Sequence, residues 1–151
     1  DLGRCAISSQ QQWLLSVTAP SKCIWTNWGY VSSFDDMRQQ CKQAGGPDAD
    51  LLSVGSYGEY DEARSLSDLG WYGLRNTAGT WQWISNGGDS SLVFWAPGQP
   101  DTAQYSNHTC AFMSKQDNGD ALYADNGDAL YAADCSEQKY GICQAPAQQR
   151  K

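Results

Sequence analysis

The chain of 151 residues has the length of one ordinary domain and carries a formal net charge of -7. An acidic surface disfavours nucleic-acid phosphates and anionic membranes as partners, and no apolar run approaches the roughly 20 residues that cross a bilayer. Because the chain begins at Asp1 without a methionine, we expect a mature secreted domain whose signal peptide has been removed.

The six cysteines argue for a disulfide framework rather than for metal or redox chemistry. None of them forms a Cys-x-x-Cys pair, which disfavours zinc sites and thioredoxin-type sites. An even number of cysteines in a chain expected to be secreted indicates three disulfides formed in an oxidising compartment. The residues alone leave the pairing open. The cysteines are Cys5, Cys23, Cys41, Cys110, Cys135 and Cys143.

The first half of the chain predicts strands followed by two helices. Residues 12–31 alternate apolar and polar side chains around a turn at Ala19-Pro20-Ser21, which predicts strands. Ser32 or Ser33 can cap a helix that Gly45-Gly46-Pro47 ends. A second helix is predicted from about Tyr57 to Leu69. The first helix places three apolar side chains on one face, those of Phe34, Met37 and Cys41.

The second half predicts strands separated by a long loop. Trp71, Trp81 and Trp83 stand at alternating positions around a turn at Thr77-Ala78-Gly79, which predicts a hairpin. Residues 84–109 carry little regular pattern, and loops of that length are usually functional or disordered. Further strands are predicted at Cys110–Met113, at about Ala129–Ala133 and at Tyr140–Cys143. The domain is predicted to cover 1–144, followed by a frayed tail over 145–151.

One segment is repeated without change. The eight residues that begin at Asp117 recur from Asp125 to Ala132. A unit of this length is too short for a solenoid repeat, so we interpret it as a duplication that lengthens one surface loop, with a sequencing error as the alternative.

Five motifs in a consistent order resemble the C-type lectin family across essentially the whole chain. Trp71-Tyr72-Gly73-Leu74 is similar to the family's core strand, and Trp81-Gln82-Trp83 with Asn86-Gly87 is similar to its hairpin. The segment from Phe94 to Asp101, Phe-Trp-Ala-Pro-Gly-Gln-Pro-Asp, is similar to its sugar-binding loop. Cys110 and Cys135 come next, and Tyr140-Gly141-Ile142-Cys143-Gln144 is similar to its closing pattern.

The resemblance implies the fold and the disulfide pairing. The expected fold is α+β, with two helices that flank a small antiparallel sheet and a second sheet that carries the long loops. The implied disulfides are Cys41–Cys143 and Cys110–Cys135, with Cys5–Cys23 as the additional bridge of long-form members. Because the spacing between Cys5 and Cys23 is long for that bridge, an interchain disulfide through Cys5 stays open.

The resemblance also implies a sugar site at Gln99-Pro100-Asp101. In the family, this loop gives two oxygen ligands to a Ca²⁺ ion, and two neighbouring sugar hydroxyls complete its coordination. The bond before Pro100 is expected to be cis. The Gln-Pro-Asp order is similar to that of galactose-type members. Exchanging the amide and the carboxylate exchanges hydrogen-bond donor and acceptor, which is a physical basis for selecting a different pair of sugar hydroxyls. We therefore expect binding of galactose or N-acetylgalactosamine.

Two family ligand positions hold other residues. The family places a glutamate where this chain has His108, and Trp-Asn-Asp where it has Leu130-Tyr131-Ala132. Either the duplicated loop supplies the missing oxygens, or the sugar binds directly without a bridging ion; we favour a bound Ca²⁺. The full set of candidate metal ligands is Gln99, Asp101, Asp117, Asp120, Asp125 and Asp128.

Two residues beside the loop complete the candidate sugar site. Tyr105 is the expected stacking partner for the apolar face of galactose. His108 is the only histidine, and if it hydrogen-bonds the sugar, binding should weaken as the imidazole becomes protonated. Asn107-His108-Thr109 is a glycosylation sequon, and we expect it to be unoccupied because a glycan there would crowd the site.

The function predicted from the sequence is a secreted lectin without enzymatic activity. No triad pattern surrounds the single histidine, and no phosphate-binding glycine loop is present. The alternative is a lectin-like domain that binds protein, ice or mineral surfaces, because a fold alone does not decide function. A homodimer is expected because weak sugar sites gain avidity in pairs, and agglutination of foreign cells in innate immunity is a natural role for such a lectin.

Overall fold

The computed structural model describes Cys5 and residues 13–66, 70–85, 93–115 and 128–147. These residues form two helices and eight strands, all of the expected types. In chain order they are β1 (Leu14–Leu15), β2 (Lys22–Ser32), α1 (Phe34–Gly45), β3 (Asp50–Leu51), α2 (Tyr57–Leu66), β4 (Gly70–Thr77), β5 (Thr80–Trp83), β6 (His108–Lys115), β7 (Asp128–Asp134) and β8 (Lys139–Pro146).

The described strands form one connected sheet rather than the two sheets expected from the resemblance. The strand order is β1-β2-β8-β4-β6-β7, with β3 paired to β8 and β5 paired to β4. The two halves are joined because β4 pairs with β6 on one side and, at Trp71 and Gly141, with β8 on the other. The sugar-loop residues precede β6, so the candidate site lies at the β6–β7 end of this order.

The two faces of the sheet bury separate apolar clusters. Successive side chains of a strand point to opposite faces, and neighbours in β4 accordingly belong to different clusters: Trp71 packs with α1, whereas Tyr72 packs with α2. From α1, Phe34 and Met37 enter the first cluster, and from α2, Tyr60 enters the second. The sheet therefore lies between the two helices, as the α+β prediction requires.

Helix α1 begins and ends as its sequence predicts. Ser33 is the N-cap, and its side chain accepts a hydrogen bond from the amide of Asp36 at 3.3 Å. Gly46 ends the helix with a positive φ of 98°. The helix packs closely on β8 because Gly141 has no side chain: a Cβ there would lie 2.5 Å from Cγ of Met37.

The three disulfides follow the pairing implied by the resemblance. They join Cys5 to Cys23, Cys41 to Cys143 and Cys110 to Cys135, and no cysteine is free. Cys41–Cys143 ties α1 to β8, and Cys110–Cys135 ties β6 to the segment after β7. Because Cys5 is bonded within the chain, the alternative of an interchain disulfide through Cys5 is wrong.

The last strand extends beyond the predicted domain boundary at residue 144. Ala145 and Pro146 pair with Cys23 and Lys22 of β2, and Ala145 is only 2% exposed. The amide of Ala147 donates to the carbonyl of Ser21 at 2.8 Å. The prediction of a tail frayed from residue 145 is therefore wrong up to residue 147, because β2 provides both pairing partners and an apolar surface. Residues 148–151 lie outside the described residues.

Candidate sugar-binding site

Two aromatic residues anchor the loop that precedes the candidate site. The ring of Phe94 packs on Tyr60 of α2 with centroids 4.3 Å apart, and Trp95 packs on Trp81 at 4.8 Å. The backbone pairs with β7 at the same place, where Leu130 donates to Phe94 at 3.0 Å and Ala96 donates to Leu130 at 2.9 Å. The loop therefore starts from a fixed position against the second core.

A tight turn then leads into the Gln-Pro-Asp motif. The amide of Gln99 donates to the carbonyl of Ala96 at 2.9 Å, with Pro97 and Gly98 between them. Gly98 has a positive φ of 84°, so the order Pro-Gly matches a type II turn. The following Gln99–Pro100 peptide bond is cis, as expected from the resemblance.

The carboxylate of Asp101 pairs with the only histidine of the chain. Its two oxygens lie 3.1 and 3.2 Å from Nδ1 of His108. Because a carboxylate can only accept, Nδ1 carries the proton, and Nε2 of the neutral ring is left as an acceptor. Both side chains are about one-fifth exposed, with values of 19% for Asp101 and 21% for His108. The pair is thus partly shielded but reachable from solvent.

The side chain of Gln99 is fixed by the backbone of β7. Its Oε1 accepts a hydrogen bond from the amide of Ala132 at 3.0 Å. This contact assigns the orientation of the side-chain amide, so the Nε2 group is the end left to donate to a ligand. Ala132 stands where the family has the aspartate of Trp-Asn-Asp, and here that position contributes a backbone donor instead.

Tyr105 lies directly beside the Asp101–His108 pair. Its ring stacks on the imidazole with centroids 4.6 Å apart and an interplanar angle of 14°. Two turns hold it there: Tyr105 donates to the carbonyl of Asp101 at 2.8 Å, and His108 donates to the carbonyl of Tyr105 at 3.0 Å. The side chain remains 43% exposed. The structure therefore gathers Gln99, Pro100, Asp101, Tyr105 and His108 in one short loop.

A second carboxylate supports the base of this loop. Asn107 donates from Nδ2 to Asp134 at 2.8 Å, and Ser136 donates to the same carboxylate through its amide and its hydroxyl. The hydrogen bonds from Ser136, first the backbone and then the side chain, together with that from Asn107, hold the pKa of Asp134 below its ordinary value. Nδ2 of Asn107, to which a sequon glycan would be attached, thus uses one of its two hydrogens in this contact.

The described residues do not fit the Ca²⁺ site of the family. Such a site needs six to eight oxygen ligands, but here Asp101 pairs with His108 and Oε1 of Gln99 accepts from the backbone. Within the described ranges, no group of three or more histidine, cysteine, aspartate or glutamate side chains could hold a metal ion. Asp117, Asp120 and Asp125 lie outside those ranges, as does the side chain of Asp128, the first residue of β7.

Some contacts in the site have no signal in the sequence. The amide of Ala132 contributes through the backbone, which any residue provides, and the partnership of Asn107 with Asp134 joins positions 27 residues apart. The position of His108 in place of a family glutamate was the one available signal that the carboxylate of Asp101 would have a protein partner.

Among the helices of the described part, none is long and apolar enough to span a membrane.

Comparisons with known proteins agree with this architecture. The family model of the lectin C-type domain matches residues 30–145. Among solved structures, the C-type lectin domain of murine dendritic cell inhibitory receptor 2, in complex with N-glycan, has a TM-score of 0.73 at 20% identity and covers 92% of this chain and 99% of that chain. The cow carbohydrate-recognition domain of CD23, in the presence of an oligosaccharide, has a TM-score of 0.71 at 21% identity and covers 96% of this chain and 100% of that chain.

A curated relative matches over a similar span. E-selectin of Sus scrofa is 26% identical over 133 residues, which cover 80% of this chain and 25% of that protein. The chain therefore corresponds to about a quarter of the length of that relative. Since the family model matches well over half of the chain, the protein belongs to the C-type lectin domain family.

Proposed function

We propose that this domain binds a galactose-type sugar at the loop from Gln99 to His108. The observation that carries the proposal is the stacked Tyr105–His108 pair next to the Asp101 carboxylate. Sugar sites combine an aromatic surface with a few fixed polar groups, and this loop brings both together. Membership in a family of carbohydrate-binding lectins supports the same role, as does the N-glycan complex of the murine neighbour.

Three polar groups of the loop are suited to two adjacent hydroxyls. Nε2 of Gln99 can donate, while the outer lone pairs of Asp101 and Nε2 of His108 can accept. Because the oxygen of Gln99 is held by β7 and the carboxylate of Asp101 is held by His108, these groups are oriented before the ligand arrives. Preorganised groups lose less entropy on binding.

Tyr105 supplies the apolar contact. One face of its ring is covered by the imidazole of His108, so the sugar stacks on the opposite face. The axial hydroxyl of galactose leaves one side of its ring rich in C–H groups, and that side is the natural partner of an aromatic face. This geometry favours galactose and N-acetylgalactosamine over sugars without such a face.

The donor set favours direct hydrogen bonding over bridging through an ion. A Ca²⁺ ion at Asp101 would have to share the carboxylate with Nδ1 of His108, which lies against both oxygens, and at Gln99 it would compete with the amide of Ala132 for the side-chain oxygen. Oxygens from the duplicated loop, at Asp117, Asp120, Asp125 and Asp128, are the alternative that would restore ion-assisted binding. A chelator distinguishes the two arrangements.

Retention on galactose-agarose tests the proposal. The wild-type chain should be retained, should elute with galactose or N-acetylgalactosamine but not with mannose, and should stay bound in a chelator. The Asp101→Ala variant should flow through, whereas Asp35→Ala, which alters an exposed carboxylate on α1, should behave as wild type. Flow-through of the wild-type chain with added Ca²⁺ would reject the sugar assignment, and elution by the chelator would establish the ion-assisted alternative.

The rival role is a lectin-like domain that binds a protein, ice or mineral surface. The family's glutamate and aspartate ligands are replaced here by His108 and Ala132. This replacement favours the rival role, since a domain can keep the fold without keeping the function of binding sugar. The same column decides between the two, because a rival of this kind is not retained on galactose-agarose and flows through.

We propose an extracellular location and action through several sites. Three disulfides require an oxidising compartment. A single weak sugar site gains strength when two or more are presented together, so a homodimer without an interchain disulfide is expected, and agglutination of foreign cells in host defence would use it. Sedimentation equilibrium of the purified chain measures the assembly.

A further inference from the structure

A cleft beside β2, towards the end of the strand order opposite the Gln99–His108 loop, is lined by aromatic and amide side chains suited to a sugar. It lies between β2 and α1, with a volume of about 600 Å³, which falls in the range of small-ligand sites. Two aromatic side chains, Trp25 and Tyr30, and the amides of Asn27, Gln40 and Gln43 line it. We propose that this cleft binds one or two units of a neutral oligosaccharide.

An irregularity in β2 creates the cleft. Asn27 pairs with Gly141 and Ser32 pairs with Lys139, so five residue steps of β2 are matched by only two of β8. The extra residues bulge away from the sheet and present Tyr30, which is 78% exposed. Bulges of this kind commonly redirect side chains near functional sites.

A chain of side-chain hydrogen bonds fixes the floor of the cleft, which is formed by Asn27 and Gln40. Asn27, which is 3% exposed, accepts from the amide of Gly29 at 3.2 Å and donates to Oε1 of Gln40 at 2.7 Å. Gln40 in turn donates to the hydroxyl of Ser32. The bulge and the helix are thereby held in one arrangement before any ligand binds, which lowers the entropic cost of binding.

Several polar groups around this floor remain available. The amide of Gln43, the hydroxyl of Tyr30 and the hydroxyl of Thr26 have no hydrogen-bond partner among the residues that the structure describes. Amides and hydroxyls both donate and accept, which suits neighbouring sugar hydroxyls. The lining residues that the structure describes are all uncharged, so neither an anionic nor a cationic ligand would find a partner there.

The cleft is separate from the loop at Gln99–His108. In the sheet order, four strand-to-strand steps separate β2 from β7, which is roughly 19 Å at about 4.8 Å per step. A ligand in the cleft therefore does not share contacts with Asp101. One chain with both sites could link two glycans without forming a dimer.

Amide and indole resonances of ¹⁵N-labelled protein report on the cleft directly. Methyl β-galactoside, methyl α-mannoside and diacetylchitobiose are the neutral probes. At least one should give saturable shifts of the Trp25 indole and of the side-chain amides of Gln40 and Gln43. Tyr30→Ala should weaken this binding roughly tenfold or more, and the exposed Tyr140→Ala should leave it unchanged.

The variants also separate this proposal from the function assigned to the loop. Asp101→Ala should leave the cleft shifts intact even if it abolishes retention on galactose. Absence of saturable cleft shifts with all three probes would overturn the proposal. It would equally be overturned if the shifts survived Tyr30→Ala and Gln43→Ala together, or if they disappeared in Asp101→Ala.

Discussion

Asp101 and His108 form a pair in which both carboxylate oxygens lie within 3.2 Å of the same ring nitrogen, Nδ1. The family places Ca²⁺ ligands at these two positions, but here one residue partners the other. The proton on Nδ1 of His108 therefore lies against the Asp101 carboxylate, at the place where the family has a metal ion. The polar groups of the candidate site are thus positioned by contacts within the protein.

The first prediction concerns this pair. Asp101→Asn and His108→Ala should each reduce galactoside affinity by roughly tenfold, since each removes a fixed hydrogen-bonding group worth about 1–2 kcal/mol. The double variant should lose less than the sum, because His108 acts partly by orienting Asp101. Isothermal titration of the four proteins measures this coupling. Strictly additive losses would contradict the assigned role of His108.

The second prediction concerns the aromatic surface at Tyr105. Tyr105→Ala should weaken galactoside binding roughly tenfold through loss of stacking, whereas Tyr105→Phe keeps the ring and should change affinity by less than about threefold. Because the side chain is 43% exposed, neither variant should alter the melting temperature appreciably. Equal affinity of the Ala variant and the wild type would remove Tyr105 from the site.

The third prediction compares a partly buried ion pair with an exposed one. Asp50 is 7% exposed and accepts from Nε and Nη2 of Arg38, both at 3.0 Å. The hydrogen bonds that Arg38 donates to Asp50 raise the pKa of Arg38 above its ordinary value, against the lowering by burial. Asp50→Asn should lower the free energy of unfolding by roughly 2 kcal/mol, because it removes the counter-charge of the Arg38 guanidinium and of the Lys42 ammonium, which lies 3.5 Å away.

The matched control uses a pair at the surface. Asp35 pairs with Arg75 at 3.2 Å, but its side chain is 65% exposed. Asp35→Asn should therefore change the free energy of unfolding by less than about 0.5 kcal/mol. Urea denaturation of both variants checks the comparison, and equal losses would show that burial does not govern these pairs.

The fourth prediction concerns Glu62 of α2 and acid stability. Its carboxylate accepts from the hydroxyls of Ser16 and Thr18 at 2.6 and 2.7 Å and from the amide of Val17 at 2.7 Å. Burial raises the pKa of Glu62, but these hydrogen bonds outweigh it and hold the pKa below its ordinary value. The resulting stability is present above the ordinary pKa of a glutamate and is lost as the pH falls through the lowered one.

Glu62→Gln should accordingly destabilise the protein at neutral pH by about 1 kcal/mol, a value reduced for the partial exposure of the group. The difference from wild type should shrink as the pH falls below about 4, where the carboxyl is protonated first in the unfolded state and, at lower pH, in the folded state as well. Denaturation curves recorded across this range test the sign. A deficit that is independent of pH would mean that the charge of Glu62 is not involved.

Local signals predicted the elements of the fold well. The cap at Ser33, the glycine stop at Gly46 and the positive φ of 98° there follow from rules that act within a few residues. The disulfide pairing came from the resemblance, because cysteine spacing alone does not choose among alternatives. The join of the sheet through β4 and the extension of β8 to Pro146 depend on neighbours distant in sequence, and local patterns do not contain them.

The candidate site was predicted as a set of residues but not as an arrangement. The sequence located Gln99, Asp101, Tyr105 and His108 in one loop, and the cis bond followed from the resemblance. The contact of Gln99 with the amide of Ala132 could not be predicted, since a backbone donor has no residue signature. The cleft beside Tyr30 was equally invisible, because it arises from a bulge between strands.

Sugar binding at the Gln99–His108 loop is tested most directly by intermolecular NOEs between a bound galactoside and the protein, recorded in the presence of a chelator. Sugar binding at this loop predicts contacts from the C–H groups of the sugar ring to the aromatic protons of Tyr105, and their weakening in Asp101→Asn at the same subsaturating galactoside concentration. A galactoside at saturating concentration that contacts other surfaces and leaves Tyr105 untouched would contradict it.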